Sequence, residues 1–167
     1  RRHVRNFVAP WLALADVPAE LLEGLQKERL DIVRLQTASF GPLHLLSNPK
    51  DAAFFDEAAQ REWKHAKIAA FGMTRRGRMR VEDDSQVQML LDAKTPVVTI
   101  VGKTWPLHVT EVFGVSLEEN LSMIADTVRF LKEHGREVFY DAEHFFDSSH
   151  ENPDYSLATI KAAHEAG

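Results

Sequence analysis

From Ser47 onward the chain alternates strand and helix patterns, and that alternation limits the folds open to it more than any other feature. Val97 to Val101 is the clearest strand: β-branched, continuous and apolar, as expected of a strand covered on both faces. The short apolar run Ala66 to Phe71, ended by Gly72, reads as a buried strand before it, and Glu137 to Tyr140 as a third after it. Helix signals lie between and around these runs. Asn48 and Pro49 suit a helix start, because Asn caps and Pro tolerates the first turn, and DAAFFDEAAQREW follows. The basic loop TRRGRMR leads into a helix from about Asp84 to Ala93, and Pro96 breaks the chain before the second strand.

Ser116 and Glu119 stand at capping-box spacing. They open a helix whose Leu117, Leu121, Ile124, Val128 and Leu131 recur at steps of four and three, one apolar stripe. Gly135 is placed to end it. Asn152 and Pro153 repeat the helix-start signal, and the last helix runs to Gly167.

Strands alternating with helices imply parallel pairing through right-handed crossovers, hence an α/β fold. An open doubly wound sheet and a closed (β/α)8 barrel both fit three strands. A complete barrel usually takes at least about 200 residues, and this chain has 167. The pattern therefore reads as cut. Residues 1–46 differ in character: Pro18 to Gln36 looks helical, with Leu21, Leu22, Leu25, Ile32 and Leu35 on one face, and no clear period follows. The expected organisation is a helical N-terminal region over 1–46 and an α/β region over 47–167.

The formal charge of −5 argues against nucleic acid as the main partner, since phosphate binding needs a basic surface. Without cysteine there are no disulfides, thiolate metal sites or cysteine nucleophile. That fits a reducing cytosol, and a cytoplasmic location is expected. The basic start and short apolar stretch of RRHVRNFVAPWLALAD resemble a secretory signal faintly, but the apolar part is short and holds Pro10, so a surface helix is the reading taken. No apolar run is long enough for a membrane span.

In parallel α/β folds the reactive groups gather at the carboxyl ends of the strands. MTRRGR follows the first strand, GKTWPLH the second, and DAEHFFD marks the third. Arg75, Arg76, Lys103 and His108 can offer charge or donors to an anionic ligand, although loop cations are most often solvated. Thr104 and Trp105 suit loop shaping as well as ligand contact. Asp141, Glu143, His144 and Asp147 form the densest cluster. Asp141 and Glu143 share a face if the strand stays extended. A carboxylate there can serve as general acid or base, hold a divalent cation, or do no more than cap a helix or join an ion pair. The spacing matches no metal motif, and G-x-S-x-G, P-loop and G-x-G-x-x-G patterns are absent. His65 precedes a strand and belongs to the opposite, stability face. His134, near a helix C-terminus, is explained by the dipole.

Taken together, SNPKDAAFFDEA, HAKIAAFGMTRRGR, TPVVTIVGKTWPLHVTE, SLEENLSMIADTVRFLKEHGREVFYDAEHFFD and NPDYSLATIKAAHEAG resemble the catalytic barrel of the citramalate synthase and 2-isopropylmalate synthase family. The resemblance covers about residues 47–167. It implies part of a pyruvate-carboxyltransferase-like (β/α)8 TIM barrel, roughly its third to fifth strands with flanking helices. It also implies an acyltransferase that condenses acetyl-CoA with a 2-oxo acid, pyruvate for citramalate synthase, in the isoleucine branch of branched-chain amino-acid biosynthesis. A divalent metal (Mg or Mn) holds the 2-oxo acid in the complete family. By the same resemblance Glu143 matches the acidic residue implicated in proton transfer. Asp141 lies on the 2-oxo-acid side, His108 matches a fourth-strand-loop histidine near the substrate, and Arg75 matches a rim arginine after the third strand.

The departures concern the metal. The family's first-strand Asp-Thr-Thr-Leu-Arg-Asp-Gly has no counterpart in residues 1–46, and Gly41 to Ser47 reads GPLHLLS in place of Glu-Gly-Gly-Trp-Pro. The family's His-x-His pair falls beyond Gly167. No metal ligand is matched in this chain, and affinity depends on ligand count. A shifted reading frame, a divergent replacement or an artificial boundary would each account for residues 1–46; the abrupt change near Ser47 favours the first. An inactive portion of a synthase is thus expected. Two other readings stand beside it: an aldol-type lyase on the same barrel, and a non-enzymatic interaction module. An open sheet edge favours homo-oligomers.

Overall fold

The computed structural model describes residues 55–63 and 67–167. The expectations for residues 1–46, the helix start at Asn48 and Pro49, and His65 lie outside them. The described chain is α/β. Residues 55–59 are helical. Then come β1 (Ala69–Met73), a 3-10 turn (Val81–Asp83), α1 (Ser85–Asp92), β2 (Val97–Lys103) and a π-helical turn (His108–Phe113). α2 (Leu117–Glu133), β3 (Glu137–Glu143), α3 (Phe145–Glu151) and α4 (Pro153–Ala166) complete the order. The three strands form one parallel sheet in the order β1-β2-β3. This is a parallel sheet flanked by helices, consistent with part of a barrel.

Strand alternation sends Ala70, Val98, Ile100, Val138 and Tyr140 to one face, where they join Leu90, Ile124, Val128 and Leu131 in a single core. Fully burying a side chain such as Leu90, Ile124 or Leu131 contributes about 1.5–3 kcal/mol. The other face carries the register rows Phe71, Thr99, Phe139 and Met73, Val101, Asp141, and ends on Lys103 beside Glu143. α2 packs on both β3 and α4.

The two outer strands run further than their sequence patterns indicate. Gly72 does not end β1, which continues to Met73. It lies against α1 instead: a Cβ there would come 2.8 Å from Leu90 Cδ2. β3 continues past Tyr140 because its pairing with β2 persists through Gly102 with Ala142 and Lys103 with Glu143. The α2 boundaries follow the sequence signals. Ser116 Oγ accepts from the Glu119 N–H at 3.1 Å, and Gly135 sits at φ +74. Asn152 differs from its expected role, since its side chain makes no cap bond. Its carbonyl accepts from the Ser156 N–H at 3.0 Å instead, with Pro153 opening α4.

Candidate active site

The carboxyl ends of β2 and β3 bring the densest chemistry together. Lys103 and Glu143 are register partners on adjacent strands, and the Lys103 ammonium pairs with the Glu143 carboxylate. The lysine side chain is only 13% exposed and the glutamate 35%. Thr104 Oγ1 donates to the Glu143 carbonyl at 2.5 Å. Asn120 of α2, fully buried, donates through Nδ2 to the Lys103 carbonyl at 2.8 Å and to the Tyr155 hydroxyl at 2.9 Å. Asp141 is half-buried, two residues before Glu143 on the same strand face and in register with Val101.

A ring cluster lies beside this pair. Trp105 and His108 have centroids 4.9 Å apart, and His108 meets His144 edge-on at 4.9 Å. His144 Nδ1 lies 3.1 Å from Asp147 Oδ2. The segment after β2 is no extended loop. The Trp105 carbonyl accepts from the His108 N–H at 2.9 Å and the Val109 N–H at 3.2 Å, and the π-helical turn closes at Gly114 in the left-handed region. His144 also stands in the left-handed region, φ 58, so the chain swings from β3 directly into α3. Trp105 Nε1 then reaches Glu151 Oε2 at the end of α3, 2.7 Å away.

Arg75 is placed differently. Its side chain is 6% exposed and turns toward α2. Nε and Nη2 donate to Asp126 at 3.0 and 2.9 Å, and Nη1 donates to Glu119 at 2.8 Å and to the Arg76 carbonyl at 3.2 Å. Burial opposes its charge, but the bonds to Glu119 and Asp126 outweigh that and raise its pKa. The same Arg75 bond holds Glu119 below the usual carboxylate range, helped by the Arg78 N–H. Arg76 is engaged as well. Burial alone would raise the pKa of Asp84, yet the Arg76 amide and guanidinium and the Gln86 amide bring it below the ordinary range.

Of the residues singled out in the sequence, Glu143, Asp141, His108, His144 and Lys103 meet at the β2–β3 rim, and Arg75 and Arg76 brace the β1 loop. Sequence reasoning named Thr104 but missed Asn120 and the buried hydroxyl of Ser148, whose Oγ donates to the Thr104 carbonyl at 2.8 Å. One signal was present: Asn120 stands four residues before Ile124, a polar residue on an apolar stripe. Among the described residues no three His, Asp or Glu side chains converge to hold a metal ion. Those residues do not by themselves fit the divalent metal implied by the resemblance. Among the described residues no helix is long and apolar enough to cross a membrane.

A parallel α/β unit with a carboxylate–ammonium pair at its strand carboxyl ends belongs to the class of folds that place reactive groups on that rim. No family model matches the chain. Curated relatives do. The (R)-citramalate synthase of Aquifex aeolicus is 51% identical over 121 residues, 72% of this chain and 23% of the relative. That of Geobacter sulfurreducens is 51% identical over 120 residues, and that of Sulfolobus acidocaldarius 46% over 121, with the same shares covered. By this homology the chain belongs to the (R)-citramalate synthase family, and it spans about a quarter of the length of the relatives it matches.

Proposed function

We propose that this chain supplies one sector of a transferase active site of (R)-citramalate synthase type, in which β1, β2 and β3 are consecutive strands, the third to fifth, of a (β/α)8 barrel. The observation that carries this is the Lys103–Glu143 pair at the strand carboxyl ends of a chain 46–51% identical to those synthases. Condensing acetyl-CoA with pyruvate requires a base for a methyl proton. That base must be a carboxylate or similar group within hydrogen-bond reach of the proton. Glu143 has the chemistry for it and a half-buried place on the rim. The carbanion equivalent then forms a C–C bond to the ketone carbon, and water releases CoA from the thioester. Asp141 and His108 line the 2-oxo-acid side, with the His108 ring N–H able to donate to a carboxylate or carbonyl oxygen. Arg75 supports the rim from behind rather than by contact. No step is assigned to a metal.

The test measures CoA release from acetyl-CoA and pyruvate with magnesium. The purified chain is expected to show none. Mixed with an (R)-citramalate synthase polypeptide lacking the matched segment, it is expected to turn over. Glu143→Ala in that complemented assembly is expected to lower kcat by about 10²–10⁴-fold. Turnover by the chain alone at about 1 per second would sink the sector reading, and near-normal turnover by the alanine variant would remove Glu143 from its role.

A second reading rests on a separate observation. Phe139, on the β3 face away from the core, is 41% exposed and Leu157 on α4 59%, apolar surface that suits an interaction module. Sedimentation that finds a monomer throughout the micromolar range speaks against it.

A further inference from the structure

We propose that Lys103 is the positioning residue for Glu143, an inference that rests on the reading of Glu143 as the base. The parallel register sets the two residues side by side at the last pair of the β2–β3 ladder, so their side chains leave the sheet on the same face. Lys103 does not reach Glu143 as a free surface cation. Its carbonyl is tied to the buried Asn120, its side chain is 13% exposed, and its Nζ lies 5.7 Å from the Phe113 ring centroid. Glu143 is held at two points. Thr104, the next residue along the chain from Lys103, fixes its carbonyl at 2.5 Å, and Lys103 itself fixes its carboxylate.

The two tethers come from consecutive residues of one strand end. The carboxylate is thereby restricted to few rotamers. A long, flexible glutamate at a strand end otherwise explores many, and misplacing a base by about 1 Å can cost about 100-fold in rate. The bonded carboxylate oxygen is Oε2, and the role of Lys103 is to aim the group, not to receive the substrate proton.

Lys103→Met in the complemented assembly is expected to lower kcat at least about tenfold while KM for pyruvate and acetyl-CoA moves less than about threefold. Lys103→Arg, which keeps the charge, is expected to restore most of the loss. In a Glu143→Gln background Lys103→Met is expected to do nothing further, because the two residues act as a unit. A KM effect without a kcat effect, additive losses, or full activity in Lys103→Met would overturn the proposal. A second measurement needs no turnover. In urea unfolding of the complete 167-residue chain, a Lys103→Met and Glu143→Gln cycle is expected to show a coupling of at least about threefold in the unfolding constant. If the unvaried complemented assembly is itself inactive, the proposed function fails, and the unfolding cycle still decides the pair. A coupling factor of one overturns it.

Discussion

Asp84, with no exposed side-chain surface, accepts the Arg76 N–H at 2.6 Å and the Gln86 N–H at 2.9 Å with its two carboxylate oxygens. One carboxylate thus caps α1 and fixes the loop that leaves β1. The helix start and the rim loop cannot move independently.

Replacing Asp84 by alanine removes the cap and leaves a loop amide without its acceptor. Each loss costs about 1–2 kcal/mol, so a fall of about 2–3 kcal/mol in unfolding free energy is expected from urea denaturation. Asp84→Asn keeps an acceptor oxygen and is expected to lose less.

The folded-state pKa values of Asp84 and Glu119 lie below their ordinary values. A depressed carboxylate pKa stabilises the fold above the unfolded-state value, and that contribution is lost as pH falls through the folded one. Stability is therefore expected to drop as the solution is acidified from the ordinary carboxylate range downward. Glu119→Gln and Asp84→Asn should each flatten that acid limb in urea midpoints followed against pH. An unchanged slope in both would refute the assignment.

Gly102 faces Tyr140 across the β2–β3 ladder, and a Cβ there would meet the ring at 2.5 Å. The ring is hemmed in, and burial raises the pKa of its hydroxyl. Gly102→Ala is expected to cost about 1–3 kcal/mol through overpacking, seen as a lower Tm. Tyr140→Leu in the same chain should recover part of it.

Leu131, fully buried in the core where α2 covers the sheet, tests the packing itself. Leu131→Ala is expected to destabilise by about 2–5 kcal/mol. Leu157→Ala on exposed α4 surface should change little, and the contrast between the two is read by chemical denaturation.

The β2 strand, the α1 and α2 helices and the parallel order were legible because each rests on local periodicity and cap chemistry. So were the family and the rim position of Glu143. Other features depend on partners distant in sequence. Arg75 looks the same in a sequence whether it faces a ligand or, as here, Asp126 and Glu119 some fifty residues on. The Lys103–Glu143 pair needs the strand register, which no single segment carries. The left-handed turn at His144 carried no glycine to announce it, so α3 was hidden within a segment that read as a strand end.

The rim is fastened in two chemical languages. Around β2 and β3 the ties below the Lys103–Glu143 pair are neutral: Thr104 to the Glu143 carbonyl, Ser148 to the Thr104 carbonyl, and Ser148 to Ser156 at 2.6 Å. After β1 the ties of the Arg75 side chain are ionic and partly open to water, with Glu119 and Asp126 about a third exposed. Dissolved ions screen the second kind and leave the first almost untouched. Raising ionic strength should therefore weaken the Arg75 ties to Glu119 and Asp126 while the backbone of Glu143, at the end of β3, keeps its neutral bond to Thr104.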